Sequence, residues 1–371
     1  MNGQTEQAVL QDPSDPELRR SMVGGSDAAK ALDLSEYGTA LDLYLEKIGV
    51  TEGFEGNEFT EAGKWLEPMI LARFAHEEGV LVLGRNRAGR PTLFCPDLTE
   101  RVPDGSVQKF LVPLLGTVRD PDMPFRGCHI DGLSLADSDG AMVPTAIIEA
   151  KSGSFFAAAK WGEPGTDEIP VDYLVQCYHN ASVLFAKIGL RLDVVVPTIL
   201  GGHRWGVFGV EFSEEGHEAL RVGEAKFWEH VQTQTPPPPK LNRMGFEALN
   251  RLYPTHEESE IRTAVDDELH NLATHYLTAA ERLKSAKAEK DGLGVRIKEL
   301  MGTAGRAVGR GWSATWKTPK AGQVVDFRAA FEAVCRDHSL PAEVVDQYTA
   351  DATKSRNVSR TFRIQSVKAK D

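Results

Sequence analysis

Two apolar segments, Cys128 to Leu135 and Met142 to Ala150, flank the run Asp137-Ser138-Asp139-Gly140. This pattern constrains the fold more than any other stretch. A Gly-containing turn between two apolar runs is a strong hairpin signal, because glycine takes positive φ without steric cost. Facing residues of an antiparallel pair have numbers that sum to a constant. A turn centred near residue 140 therefore puts Asp131 opposite Glu149. Lys151, two residues beyond Glu149, points to the same face. Two carboxylates and one amine gather in one patch.

Their surroundings are apolar, with Ile130 and Leu133 on one strand and Ile147 and Ile148 on the other. Burying charge is costly unless it is paired or bound to metal. Two hard oxygen ligands suit Mg²⁺ or Mn²⁺, which keep waters for a substrate. Lys151 would then orient or deprotonate an attacking water, or steady developing charge. Taken alone, a Glu-x-Lys strand is more often the pattern of a solvated sheet face.

Other positions share this double reading. Glu67, in Gly63-Lys64-Trp65-Leu66-Glu67, lies on a helix face with Ile70, Leu71 and Phe74, and Gly63 leaves that face open one turn earlier. An exposed Glu paired with Arg73 or Lys64 is the alternative. Gln176, in Tyr173-Leu174-Val175-Gln176, is a helix amide able to bond a phosphate or a bound water, or simply a surface residue. Arg19 and Arg20 precede Gly24-Gly25-Ser26-Asp27, a Gly-led helix start suited to a phosphate.

The rest of the chain reads as mixed α/β. Helices are expected between Arg19 and Gly49, over Thr60 to Glu78, Tyr173 to Ala186 and Ser213 to Gln232. Further strands are expected at Val80 to Leu83, Leu192 to Pro197 and Arg204 to Phe212. Residues 1–18 read as a loose arm, residues 19–235 as the main domain and 236–259, opening on four prolines, as a spacer. Beyond it, residues 260–371 read as a helical and β extension. Leu269, Leu272, Tyr276, Ala280 and Leu283 form one stripe there, and Gly292 and Gly294 break the helix into a pair. A hairpin at Trp312 to Trp316, a helix near Phe327 to Cys335 and a strand at Arg360 to Ile364 follow.

Composition excludes several classes. Hydrophobic residues at 41% offset chain entropy in the manner of a folded protein. The four cysteines stand apart, without the spacing of a disulfide framework, structural zinc or iron–sulfur cluster. No GxxxxGK[ST], GxSxG or HExxH occurs. No apolar run approaches a membrane span, and the start MNGQTEQ has no leader pattern, so a cytoplasmic protein without membrane contact is expected. The net charge is −12, yet residues 281–371 carry 18 Lys and Arg against 11 Asp and Glu. An acidic body with a basic tail accommodates a polyanion, or two independent solvated surfaces.

Taken in order, Val23-Gly24-Gly25-Ser26-Asp27-Ala28-Ala29, Gly63-Lys64-Trp65-Leu66-Glu67, Ile130-Asp131-Gly132-Leu133, Ile148-Glu149-Ala150-Lys151 and Tyr173-Leu174-Val175-Gln176 resemble the YqaJ-type phage recombination nucleases. These are relatives of lambda exonuclease in the PD-(D/E)xK superfamily. The likeness covers about residues 19–235. Met301-Gly302, Trp312 to Lys317 and Ser359 to Ile364 also resemble a C-terminal extension of some members. Ala150 stands where a larger apolar residue is frequent in the family. Residues 152–172, with Phe155, Phe156, Lys160 and Trp161, read as a loop whose aromatics stack on an unpaired base or bury in the core.

The resemblance implies a PD-(D/E)xK core, a central mixed sheet flanked by helices. It implies a Mg²⁺-dependent exonuclease that resects linear duplex DNA from 5′ to 3′, feeds a single-strand annealing protein and closes into a ring-shaped homo-oligomer. On that basis Asp131 and Glu149 bind the metal, and Glu67 serves the second metal position or its waters. Lys151 acts on the nucleophilic water and Gln176 supports the site. Arg19, with Arg20 as the register alternative, and Ser26 contact the 5′-phosphate. A PD-(D/E)xK endonuclease and a non-catalytic DNA-binding or assembly protein remain as alternatives on the same fold.

Overall fold

The computed structural model describes residues 15–53, 56–256, 262, 267–318, 327–339 and 341–352. The strand expected at Arg360 to Ile364 and nearly all of the N-terminal arm lie outside these residues. The chain divides into two compact units, 1–253 and 254–371.

In the first unit four helices come first: α1 (Pro16–Arg20), α2 (Gly25–Ala31), α3 (Ala40–Lys47) and α4 (Glu58–Glu78). Ten strands follow, interrupted by one long helix. They are β1 (Leu81–Arg85), β2 (Pro91–Phe94), β3 (Glu100–Arg101), β4 (Val118–Arg119), β5 (Gly127–Cys128), β6 (Gly132–Ser138), β7 (Ala141–Ile148), β8 (Lys151–Gly153), β9 (Val194–Leu200) and β10 (Arg204–Val210). Helix α5 (Val171–Ile188) lies between β8 and β9, and α6 (Glu214–Thr233) and α7 (Arg243–Leu252) follow β10.

The main sheet runs β10-β9-β7-β6-β1-β2-β3, with β8 also on β9. Pairings are antiparallel except β7 and β8 with β9, which are parallel. Strand alternation splits the core. Leu83, Leu133 and Ile147 pack with Cys177, Val183 and Leu184 of α5. Val82 and Ile148 pack with Leu71, Phe74 and Ala75 of α4. One long helix thus covers each face, the central mixed sheet flanked by helices that the resemblance implies.

Both long helices are bounded by local chemistry. The Asn57 side chain accepts the Phe59 and Thr60 amides at the start of α4, and Gly79 ends it at φ 69°. Gly189 ends α5 in the same left-handed conformation.

Two boundaries differ from expectation. Within residues 80–150, which the sequence reads as short strands, residues 107–115 form short helical turns, because Val107, Leu111, Val112, Leu114 and Leu115 all enter the core. Residues 236–253, assigned by sequence to the spacer, belong to the first unit. They include α7, whose Ala248 is buried with Leu41, Tyr44 and Phe227. The prolines turn the chain without separating a domain.

In the second unit, α8 (Glu268–Met301) is one continuous helix, followed by the hairpin β11 (Arg306–Gly309) and β12 (Trp312–Thr315). Helices α9 (Phe327–Asp337) and α10 (Ala342–Ala352) complete the described part. Gly292 and Gly294 do not break α8. Each costs about 1 kcal/mol against alanine, too little to stop a helix of 34 residues.

Candidate active site

The hairpin turn is Asp139-Gly140, with φ of 52° and 83°, between Ser138 and Ala141. Both values are positive, as a two-residue turn matching strand twist requires. From Ser138↔Ala141 to Leu135↔Pro144 the facing numbers sum to 279, and from Ser134↔Ala146 to Gly132↔Ile148 to 280. The change is a β-bulge at Thr145, next to Pro144, a residue that cannot donate to a ladder. Continuing the second register by one step sets Asp131 across from Glu149. The bulge makes this pairing; the turn alone would put Asp131 across from Ile148.

A second irregularity opens the site. Strands β7 and β8 pair with β9 in one register, Ile148↔Val195 and Lys151↔Thr198, which sets Ala150 against Pro197. Pro197 has no N–H, so the ladder is interrupted there. On its other side, toward β6, the Ala150 N–H donates to Asp131 Oδ2 at 2.9 Å. This bond ties the two acid-bearing segments together.

Glu149 is the centre. It is 1% exposed, and both of its oxygens are engaged. Oε1 accepts from Lys151 Nζ at 2.6 Å and from Gln176 Nε2 at 2.6 Å, and Oε2 accepts from Asn180 Nδ2 at 3.0 Å. Lys151 Nζ also donates to Gln176 Oε1 at 3.2 Å and sits 4.9 Å from the centroid of the Tyr173 ring. Gln176 and Asn180 are one turn apart on α5 and reach the same carboxylate.

Glu67, half-buried on α4, is close enough to feel the charges of Arg85, Glu149 and Lys151. Burial raises the Asp131 carboxyl well above the usual carboxylate range, and the charges of Glu149 and Glu67 push it the same way. Burial likewise raises Glu67, against the pull of Arg85. Burial alone would lower the Lys151 ammonium, yet Glu149 and Asp131 outweigh it and hold Lys151 above its ordinary value. The two carboxylates thus favour the ammonium form of Lys151 in this arrangement. Burial next to Glu149 also pushes the Cys128 thiol up to about 12.

Glu67, Asp131, Glu149, Lys151 and Gln176 thus converge from α4, the β6 and β7 ends, β8 and α5. The basic group does not join them. Arg19 Nη2 lies 3.5 Å from Glu46, and the Arg19 carbonyl accepts from Lys47 Nζ at 2.7 Å. Arg20 is exposed beside Gly49. Ser26 is exposed on α2, whose start abuts the site. A methyl group on Gly25 would lie 2.5 Å from Asn180 Oδ1 and 3.1 Å from Gln176 Cγ. The N-terminal turn of α2 already carries a carboxylate, that of Asp27, which accepts the Gly24 N–H at 3.3 Å and pairs with Lys47 at 2.7 Å. Phe155 and Phe156 are exposed, whereas Trp161 is buried against Tyr173 and Phe208.

Three features were missed from sequence. Asn180 was within reach of an i, i+4 argument from Gln176. Arg85 ends β1, where the β1–β6 register continued from Gly84↔Gly132 brings it beside Asp131. Its Nη2 is buried with no hydrogen-bond partner, and so is Asn180 Oδ1. The third is a fully buried ion network behind the site. Arg126 donates to Glu224 at 2.6 Å, Asp120 at 2.6 Å and Ser182 at 2.7 Å, and Glu224 also meets His179 at 2.7 Å.

Residues 16–185 match the YqaJ-like viral recombinase domain. The uncharacterized protein YqaJ of Bacillus subtilis (strain 168) is 24% identical over 303 residues, which is 81% of each chain. Among solved structures, the alkaline exonuclease LHK-Exo of Laribacter hongkongensis is 16% identical, with a TM-score of 0.38 over 59% of this chain and 91% of that one. LHK-Exo in complex with dAMP gives 15% identity and a TM-score of 0.38 over 59% and 92%. The YqaJ-like segment spans all five convergent residues, from Glu67 on α4 to Gln176 on α5. Among the described residues no helix is long and apolar enough to cross a membrane.

Proposed function

We propose that the first unit is a divalent-metal-dependent DNA nuclease, of the exonuclease type that degrades linear duplex from an end. The observation that carries this reading is the convergence of Glu67, Asp131, Glu149, Lys151 and Gln176 in one half-buried cluster. Three carboxylates there face two cationic side chains, Arg85 and Lys151; burial raises Asp131 and Glu67, and the charge of Glu149 pushes both the same way.

The donor set suits Mg²⁺ or Mn²⁺. It is all oxygen, and the orphaned Asn180 Oδ1 adds a further acceptor. Among the described residues no three Asp, Glu, His or Cys side chains are grouped so that they could hold a metal ion by themselves. Mg²⁺ needs no such group, since it is commonly held by one or two carboxylates and keeps several waters. Asp131 and Glu149 would hold it, with Glu67 bonding its waters or a second ion. When bound, such a cation neutralises a phosphodiester, lowers the pKa of bound water and stabilises the leaving oxygen.

The remaining roles belong to the chain. Gln176 and Asn180 fix the Glu149 carboxylate in rotation and position. Lys151, held as an ammonium, places positive charge where negative charge grows on the phosphate. Arg85 offers its unpartnered Nη2 to an anionic oxygen. Resection from 5′ to 3′ and delivery of the product to an annealing protein extend this reading from the family resemblance.

The test is end-labelled linear duplex and closed circular DNA, each with and without Mg²⁺. Mononucleotide release from the linear duplex alone, dependent on Mg²⁺ and lost in Asp131→Ala, is expected. Cutting of the circle would establish an endonuclease instead. Cleavage that survives Asp131→Ala would reject the site.

A further inference from the structure

We infer that α8 is a dimerisation element, pairing antiparallel with α8 of a second copy of this chain. The argument starts from a repeat. Leu269, Leu272, Tyr276, Ala279, Leu283, Ala286, Lys290, Leu293, Ile297 and Leu300 follow one another at alternating steps of three and four. These are the a and d positions of a coiled coil, sustained along the whole helix of 34 residues. At 1.5 Å per residue the seam is about 50 Å long.

The seam faces outward. Leu283 is 72% exposed and Leu300 82%, and Leu272 and Leu293 are also exposed. Met301 is the one residue of α8 buried among the described residues. A helix draws most of its stability from burying an apolar face, and α8 carries two glycines besides. An apolar stripe of this length needs a cover.

The positions along the seam select the cover and its direction. In an antiparallel pair, a residues meet d residues of the partner. Leu269 then meets Leu300, Leu272 meets Ile297, Tyr276 meets Leu293, Ala279 meets Lys290 and Leu283 meets Ala286, each across the two copies. Every layer is complementary in size. The one polar residue, Lys290, lies over the small Ala279 and reaches solvent along its stem. The flanking g positions add charge: Arg282 of each copy faces Glu289 of the other. A parallel pair does the opposite. It stacks Lys290 on Lys290, leaves Ala279 and Ala286 facing their own equivalents, and brings Arg282 to Lys287. The sequence of the seam therefore matches itself in reverse and not in parallel.

The experiment measures the mass of the full chain by sedimentation over a wide concentration range. A dimer is expected. Leu283→Asp should abolish it without unfolding the first unit, to which residue 283 does not belong. Arg282→Glu and Glu289→Arg should each weaken the dimer about tenfold, because each change sets like charges together at two symmetric places. The double variant R282E/E289R should recover to within about threefold of the parent. That recovery is specific to the antiparallel register. A monomer at every concentration would overturn the inference, as would an oligomer whose mass ignores Leu283→Asp. Failure of the double variant to recover would overturn the antiparallel pairing.

Discussion

Replacing Asp131 by Asn should stabilise the fold while removing the activity. The carboxylate is buried, and Glu149 and Glu67 both repel it, with Lys151 as the opposing charge. A raised folded-state pKa means that ionised Asp131 costs stability above the unfolded carboxyl range, near pH 4, and that the cost vanishes as pH falls below it. Asparagine keeps the shape and can still accept the Ala150 N–H, a bond of 2.9 Å in the parent. Two like-charge neighbours, partly offset by one ammonium, leave a net relief of about 1–2 kcal/mol at neutral pH. For a unit of this size that is a rise in Tm of about 2–6 °C. The assay is thermal unfolding in EDTA at pH 8 and again at pH 4, where the gain should shrink. Adding Mg²⁺ should raise the Tm of the parent and leave Asp131→Asn nearly unchanged, because ligand binding to the folded state is a stability term. An Asp131→Asn protein that melts below the parent at pH 8 without metal would refute the surplus-charge argument.

Other perturbations probe the surroundings. Gly25→Ala should cost about 1–3 kcal/mol and most of the nuclease activity, since its methyl group meets Asn180 Oδ1 at 2.5 Å; chemical denaturation and a cleavage assay measure the two effects together. Arg126→Met should destabilise by about 3 kcal/mol, because it leaves buried Asp120 with only the more distant Arg221 at 3.4 Å and buried Glu224 with only His179; a midpoint in urea within error of the parent would contradict this. Asp27→Asn should cost about 3 kcal/mol at pH 7 by leaving the buried Lys47 unpaired. Burial pushes the Asp27 carboxyl up, but Lys47 outweighs it and holds Asp27 below its ordinary value. The pair's contribution is thus complete above the unfolded carboxyl range, near pH 4, and lost as pH falls through the depressed folded value, so urea midpoints of parent and variant should converge only in strong acid.

The site was legible where a local rule carried it. The hairpin followed from Asp139-Gly140 and two apolar runs, and Glu67 from its place on an apolar helix face. The facing of Asp131 with Glu149 came from a turn placed half a residue late, and the bulge at Thr145 supplies the same shift by another route. Pro144 and Pro197 were both visible in the sequence, but their effect depends on which strand each one faces. Arg85 needed the β1–β6 register, and Arg126 needed three partners from separate segments. A buried Arg in Pro124-Phe125-Arg126-Gly127 carries no local mark.

What hid α8 was of another kind. Its glycines argued for a break, and a propensity argument stops there because it prices each residue by itself. The heptad prices them jointly: Gly292 and Gly294 fall at c and e positions, off the a and d seam, where a missing side chain leaves the apolar contacts untouched. Lys290, which interrupts the stripe when read as hydropathy, becomes its register mark once the partner position is Ala279. A sequence feature that weakens one chain's helix can be the feature that fixes how two chains meet, and the charge exchange at Arg282 and Glu289 separates those readings, since it leaves the helix propensity of a single chain nearly unchanged.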